Sequence, residues 1–173
     1  MMLFILCRPF SEHCHCWGWT LATYRGTGYG TCYRGDRLYD TPEVQAMVTK
    51  WMQFWSRYRT ILTADVIHVK RPDMQQIDAL LHVDYNTSAS IAGLLMVYNP
   101  AFDGGNSTTL LKVPLYYTGE SDAVVLQHEE ADELAEIHTL DRDFSIAITV
   151  SLPPSGITYY VIKRRPAASG AWG

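Results

Sequence analysis

The side chains most suited to chemistry sit near the start of the chain. His13, Cys14, His15 and Cys16 form a dense group of thiol and imidazole donors, and Cys7 and Cys32 are close enough in sequence to join them. Such groups bind zinc, but structural sites favour cysteine pairs with two to four residues between them, and here only His15 intervenes. The spacing therefore gives no metal site, and nothing else in the sequence calls for a cofactor. Carboxylates are the second resource, because a pair of them can act as acid and base across a glycosidic bond. Asp36, Asp40 and Glu43 cluster ahead of a helical pattern, where Asp40 and Glu43 suit a capping box. Asp141 and Asp143 suit a tight turn, and Asp65, Asp78 and Asp84 fall at strand ends. None of these spacings singles out a catalytic pair. No G-x-S-x-G elbow and no phosphate-cradling loop occur, although Gly26, Gly28 and Gly30 alternate.

Aromatic residues complete the inventory. Trp17, Trp19 and Tyr33 precede the helix, and Tyr116 and Tyr117 stand together in the second half of the chain. Exposed rings of this kind can stack on sugars, so these five are the candidate carbohydrate contacts; the plainer role for aromatics is core packing. Arg34-Gly35-Asp36 spells an adhesion tripeptide that also reads as a turn, and Asn86-Thr87-Ser88 and Asn106-Ser107-Thr108 match the glycosylation acceptor pattern in polar turns.

The elements that must position these residues fall into four segments. Residues 1–40 are irregular and hold all four cysteines; 41–64 are helical; 65–165 read as strands and turns; 166–173 form a tail. Thr41 or Asp40 can cap the helix, Pro42 suits its first position, and Glu43 favours the positive end of the dipole. Val44, Met47, Val48, Trp51, Trp55, Tyr58 and Leu62 then recur at spacings of three and four, which predicts one long amphipathic helix.

Beyond it the period changes to two. Phe144, Ile146, Ile148, Val150 and Leu152 alternate with Ser145, Ala147, Thr149 and Ser151. Ile77–Val83 and Leu110–Leu115 alternate too, and Pro114 marks an edge or a bulge. Ile91–Tyr98 is apolar throughout, as a strand covered on both faces must be. Further strands are expected near Val66–Val69, Ala123–Gln127, Ile137–Leu140 and Ile157–Val161. The turn signals Asn99-Pro100, Asp103-Gly104-Gly105-Asn106, Asp141-Arg142-Asp143 and Pro153-Pro154-Ser155-Gly156 separate these runs. The expected fold is mainly β: an antiparallel β-sandwich of about eight strands preceded by one long amphipathic helix.

Composition narrows the partners. With 47% hydrophobic residues the chain can build a core, and a net charge of −4 without a long basic run leaves no footprint for nucleic acid. No apolar stretch reaches the roughly 20 residues of a membrane helix. Met1–Leu6 lacks the basic flank and cleavage site of a secretion signal, so location stays open.

The order of several motifs points further. Tyr33-Arg34-Gly35-Asp36-Arg37-Leu38-Tyr39-Asp40, the helix, Arg59-Thr60-Ile61-Leu62, Asp65-Val66-Ile67-His68, Leu81-His82-Val83, Gly93–Pro100, Leu115-Tyr116-Tyr117-Thr118-Gly119 and Leu140-Asp141-Arg142-Asp143 follow one another. Residues 30–163 in this order resemble the C-terminal portion of large bacterial glycoside-hydrolase-like proteins, similar in style to the melibiase-type α-galactosidases. The resemblance implies a catalytic (β/α)8 barrel followed by a β-sandwich, with Pro42–Leu62 as the barrel's last helix. Active-site carboxylates of such a barrel lie at its strand ends, so no catalytic residue is carried onto this chain. Residues 1–29 depart from the pattern. The expected function is a structural, accessory fragment of a glycoside hydrolase, inactive alone, whose partner is carbohydrate or the missing catalytic domain. The rival expectations are a free-standing carbohydrate-binding module and a protein-interaction module.

Overall fold

A computed structural model describes residues 42–70, 73, 75–86, 89–101, 103–129 and 135–165. The Cys/His group, Trp17, Trp19, Tyr33 and the Arg34-Gly35-Asp36 tripeptide all lie outside the described residues, as do the helix-capping candidates Asp40 and Thr41. The chain divides into two compact units, Met1–Thr63 and Ala64–Gly173.

In the first unit, helix α1 spans Pro42–Leu62. Glu43 lies in its first turn and Arg59 in its last, each opposing the nearer end of the dipole. Thr63 ends the helix by donating its backbone N–H and its hydroxyl to the Arg59 carbonyl. The buried stripe is Trp51, Phe54, Tyr58, Ile61 and Leu62. Trp51, Tyr58 and Leu62 are buried as the sequence implies, Phe54 and Ile61 join them, and Trp55 is only half-buried; the side chains of Val44, Met47 and Val48 lie outside the described residues. Trp51 meets Phe54 edge-on at 5.3 Å and Phe54 meets Tyr58 at 5.1 Å, a ladder of rings along the buried face built on spacings of three and four.

The second unit holds eight strands, all paired antiparallel: β1 (Asp65–His68), β2 (Asp78–Val83), β3 (Ile91–Tyr98), β4 (Ser107–Pro114), β5 (Ala123–His128), β6 (Ala135–Thr139), β7 (Ser145–Leu152) and β8 (Ile157–Arg164). Six form one sheet in the order β1-β2-β3-β8-β5-β6, and β4 pairs with β7 in a second. The core between them joins Ala79, Leu81, Leu95, Val97, Val124 and Ile162 of the large sheet to Leu111, Val113, Ile146, Ile148, Val150 and Leu152 of the small one. This is the expected β-sandwich, and every expected strand is present.

Period two explains the small sheet. Ile146, Ile148, Val150 and Leu152 point inward, and Ala147, Thr149 and Ser151 outward. Phe144, expected at the head of the inward row, lies before the strand with φ at 57°, outside the extended region, and is only half-buried. Ser145 takes the buried place instead. Pro114 closes β4, a strand paired on one side only, so its missing N–H costs no ladder bond. β3 is buried on both faces as its continuous apolar run requires: Leu95 and Val97 face the core, while Leu94, Met96 and Tyr98 are equally buried on the opposite face.

Candidate functional site

β4 ends where the chain has most to present. After Pro114, Leu115 is fully buried and anchors a single 3-10 turn, Tyr116–Thr118. Thr118 is buried as well, and its hydroxyl donates to the Leu115 carbonyl at 2.6 Å. Gly119 follows with φ at 79°, a left-handed conformation that glycine adopts without strain. With both ends of the turn fixed inward, its middle is forced out: Tyr116 is 64% and Tyr117 59% exposed.

The two rings meet edge to face, with centroids 5.4 Å apart and planes at 89°. Phe144 adds a third ring, 5.8 Å from Tyr116 at 67°. It is held there by backbone bonds on both sides: its N–H donates to the Asp141 carbonyl, and its carbonyl accepts from the Leu115 N–H at 2.8 Å. Asp143, which directly precedes Phe144, pairs with Lys112 of β4 and accepts from the Ser145 hydroxyl at 2.7 Å. The hydrogen bond from Lys112, then the one from Ser145, hold the Asp143 carboxyl below its ordinary range, and the same pairing with Asp143 raises the Lys112 ammonium.

The turn is clamped from behind by Arg164, at the end of β8. Its Nε donates to the Ala89 carbonyl at 2.9 Å, and its Nη2 to the carbonyls of Asp84 at 2.8 Å and Asn86 at 3.2 Å. Nη1 donates to the Thr118 carbonyl at 2.9 Å and pairs with the Glu120 carboxylate. All five guanidinium hydrogens are thus engaged, and the side chain is only 11% exposed. Lys163-Arg164-Arg165 reads in the sequence as a short basic run; the partners of its central residue lie 44 to 80 positions away.

A second polar group lies at the far end of β5. The His128 ring stacks on Tyr160 with centroids 4.7 Å apart, and its Nε2 lies 2.7 Å from the Thr158 hydroxyl, which in turn donates to Glu129 at 3.3 Å. Imidazole, hydroxyl and carboxylate in a row resemble a nucleophile with its base. Thr158 is buried, however, so its hydroxyl braces the end of the sheet rather than meeting a substrate. Burial first, then the Glu129 charge, pushes the Tyr160 phenol up. Among the described residues no three His, Cys, Asp or Glu side chains converge as metal ligands, and no helix is long and apolar enough to cross a membrane.

Of the five candidate contacts, Tyr116 and Tyr117 are therefore placed together and exposed, and the other three lie outside the described residues. Sequence reasoning missed Phe144, Lys112, Asp143 and Arg164. The sole signal for them was the Asp141-Arg142-Asp143 turn, which fixes where Phe144 stands, one residue ahead of β7. No family model matches the chain, and a search of curated proteins finds no match.

Proposed function

We propose that this chain is the C-terminal portion of a glycoside hydrolase, in which the β-sandwich serves a structural and accessory role and a preceding barrel carries the chemistry. The supporting observation is the succession itself: a 21-residue helix with an aromatic buried stripe, then an eight-stranded sandwich whose first strand starts three residues after the helix ends. That is the order implied by the motif resemblance. The partners on this reading are carbohydrate and the catalytic domain.

The test is to sequence the DNA upstream of the Met1 codon and translate all three frames. An open frame encoding repeated strand–helix units is the expected result. A stop codon and a ribosome-binding site immediately before Met1 refute the reading, as does turnover of aryl glycosides by the purified chain. A second reading, a free-standing carbohydrate-binding module, is favoured by one specific observation, the exposed Tyr116–Tyr117 pair on a rigid turn.

A further inference from the structure

We propose that Tyr116, Tyr117 and Phe144, together with the Lys112–Asp143 pair, form a subsite for a pyranose ring of a glycan chain. This deepens the proposed function and rests on its carbohydrate reading.

The two tyrosines do not serve the core. Both are more than half exposed, and the turn that carries them is fixed without their rings, by buried Leu115 and Thr118, by Gly119 and by Arg164. A fixed turn presenting two exposed tyrosines is preorganised for contact, because the backbone needs no ordering on binding and each tyrosine has only two side-chain torsions to fix. Phe144 is a bulky residue in the left-handed region, a conformation that persists only where neighbouring structure enforces it and that clusters at binding sites. Here it brings the third ring against Tyr116.

The polar neighbours identify the ligand. A pyranose offers an apolar C–H face and a rim of hydroxyls that both donate and accept. Aromatic faces suit the first. The second needs donor and acceptor side by side, and charged groups make the stronger bonds. Lys112 supplies the donor and Asp143 the acceptor; both are more than half exposed, and Asp143 directly precedes Phe144. A proline-rich peptide fits less well. Its carbonyls only accept, leaving the Asp143 carboxylate without a role, and it docks between aromatic walls. Here the rings stand at 89° and 67° to each other and offer separate faces.

Saturation-transfer NMR on the full chain with cellohexaose, mannohexaose and xylohexaose, and with decaproline as the competing ligand, tests this directly. Transfer to the ring protons of at least one hexasaccharide is expected. Tyr116→Ala and Tyr117→Ala should each weaken that binding about tenfold or more, as truncated aromatic anchors do, with the unfolding midpoint unchanged. Asp143→Asn, which keeps the shape and removes the charge, should weaken it about threefold, in line with one charge-assisted bond becoming neutral. Absence of transfer from all three hexasaccharides, unchanged affinity in the double tyrosine variant, or binding of decaproline alone overturns the proposal. If a barrel is encoded upstream and no hexasaccharide binds, the subsite fails and the accessory-module reading stands. If a hexasaccharide binds and no barrel is encoded, the subsite stands and that reading fails.

Discussion

Replacing Arg164 by Met keeps most of the stem volume and removes only the guanidinium. Four carbonyls, those of Asp84, Asn86, Ala89 and Thr118, then lose their donor, and the Glu120 carboxylate, 19% exposed, loses its counter-charge. Each hydrogen bond to a charged donor contributes roughly 1.5–3 kcal/mol net, but the four do not simply add, because the freed Asn86 end is exposed and can turn to water. Stranding one partner of a buried ion pair costs about 3–5 kcal/mol, and that range is the expected loss. For a unit of this size it corresponds to a melting point lower by about 12–25 °C. Native-state exchange of the β3 and β8 backbone amides reads the sandwich apart from the helix. Urea unfolding followed by circular dichroism gives a second estimate. Adding Glu120→Gln to the variant should recover about 1–3 kcal/mol, since the stranded charge is then gone. A loss below about 1 kcal/mol, the size of an ordinary surface ion pair, would refute the reasoning and reduce Arg164 to a solvated cation.

Three further perturbations probe other parts of the sandwich. Asn99 is fully buried and its amide donates to the carbonyls of Leu152 at 3.1 Å and Pro153 at 2.9 Å, so Asn99→Ala should lower stability by about 2–4 kcal/mol in urea titrations. A Cβ on Gly156 would come within 2.8 Å of the Pro153 carbonyl oxygen, backbone that cannot move aside, so Gly156→Ala should cost about 1–3 kcal/mol by the same measurement. Asp78 has its carboxyl raised, chiefly by burial, against the lowering effect of the Ala79 N–H. A raised folded-state value means that the native state holds the proton more tightly than the unfolded chain. This stabilising effect is complete below the ordinary carboxylate range and is lost as pH rises from there through the raised folded-state value. Asp78→Asn, whose side-chain oxygen can still accept from Ala79, should therefore gain stability over wild type as pH is raised from 3 to 7; a constant difference across that interval would count against the burial account.

Legibility follows the range of the forces involved. The strand of Ile146–Leu152 is readable because a side chain's face depends only on its own place in a two-residue repeat. Ile91–Tyr98 is readable as a strand covered on both faces for a similar reason: its length and apolar content suffice. Phe144 escapes because a positive φ in a non-glycine residue is imposed by the Asp141 turn and the Leu115 bond, not by the residue itself. In the helix, spacings of three and four between Trp51 and Tyr58 admit either Phe54 or Trp55, so the period alone does not tell which of the two is buried. Tyr116 and Tyr117 are recognisable as candidates, but their exposure rests on Thr118, Gly119 and Arg164. No local pattern links that arginine to the turn, because it lies 46 positions beyond Thr118; only the fold brings it to the Thr118 carbonyl.

The place of β8 has a consequence for how the chain comes into being. β1, β2 and β3 pair with their sequence neighbours, and so do β5 and β6, so each set can form while synthesis is under way. The strand that joins the two sets is the last of these eight in chain order. Until Ile157–Arg164 leaves the ribosome, β3 and β5 each present an unpaired edge, and β3 is apolar along its whole length. Closure of the large sheet therefore waits on β8, and during that interval the nascent chain carries two sticky edges that a chaperone or a neighbouring nascent chain can reach before β8 does.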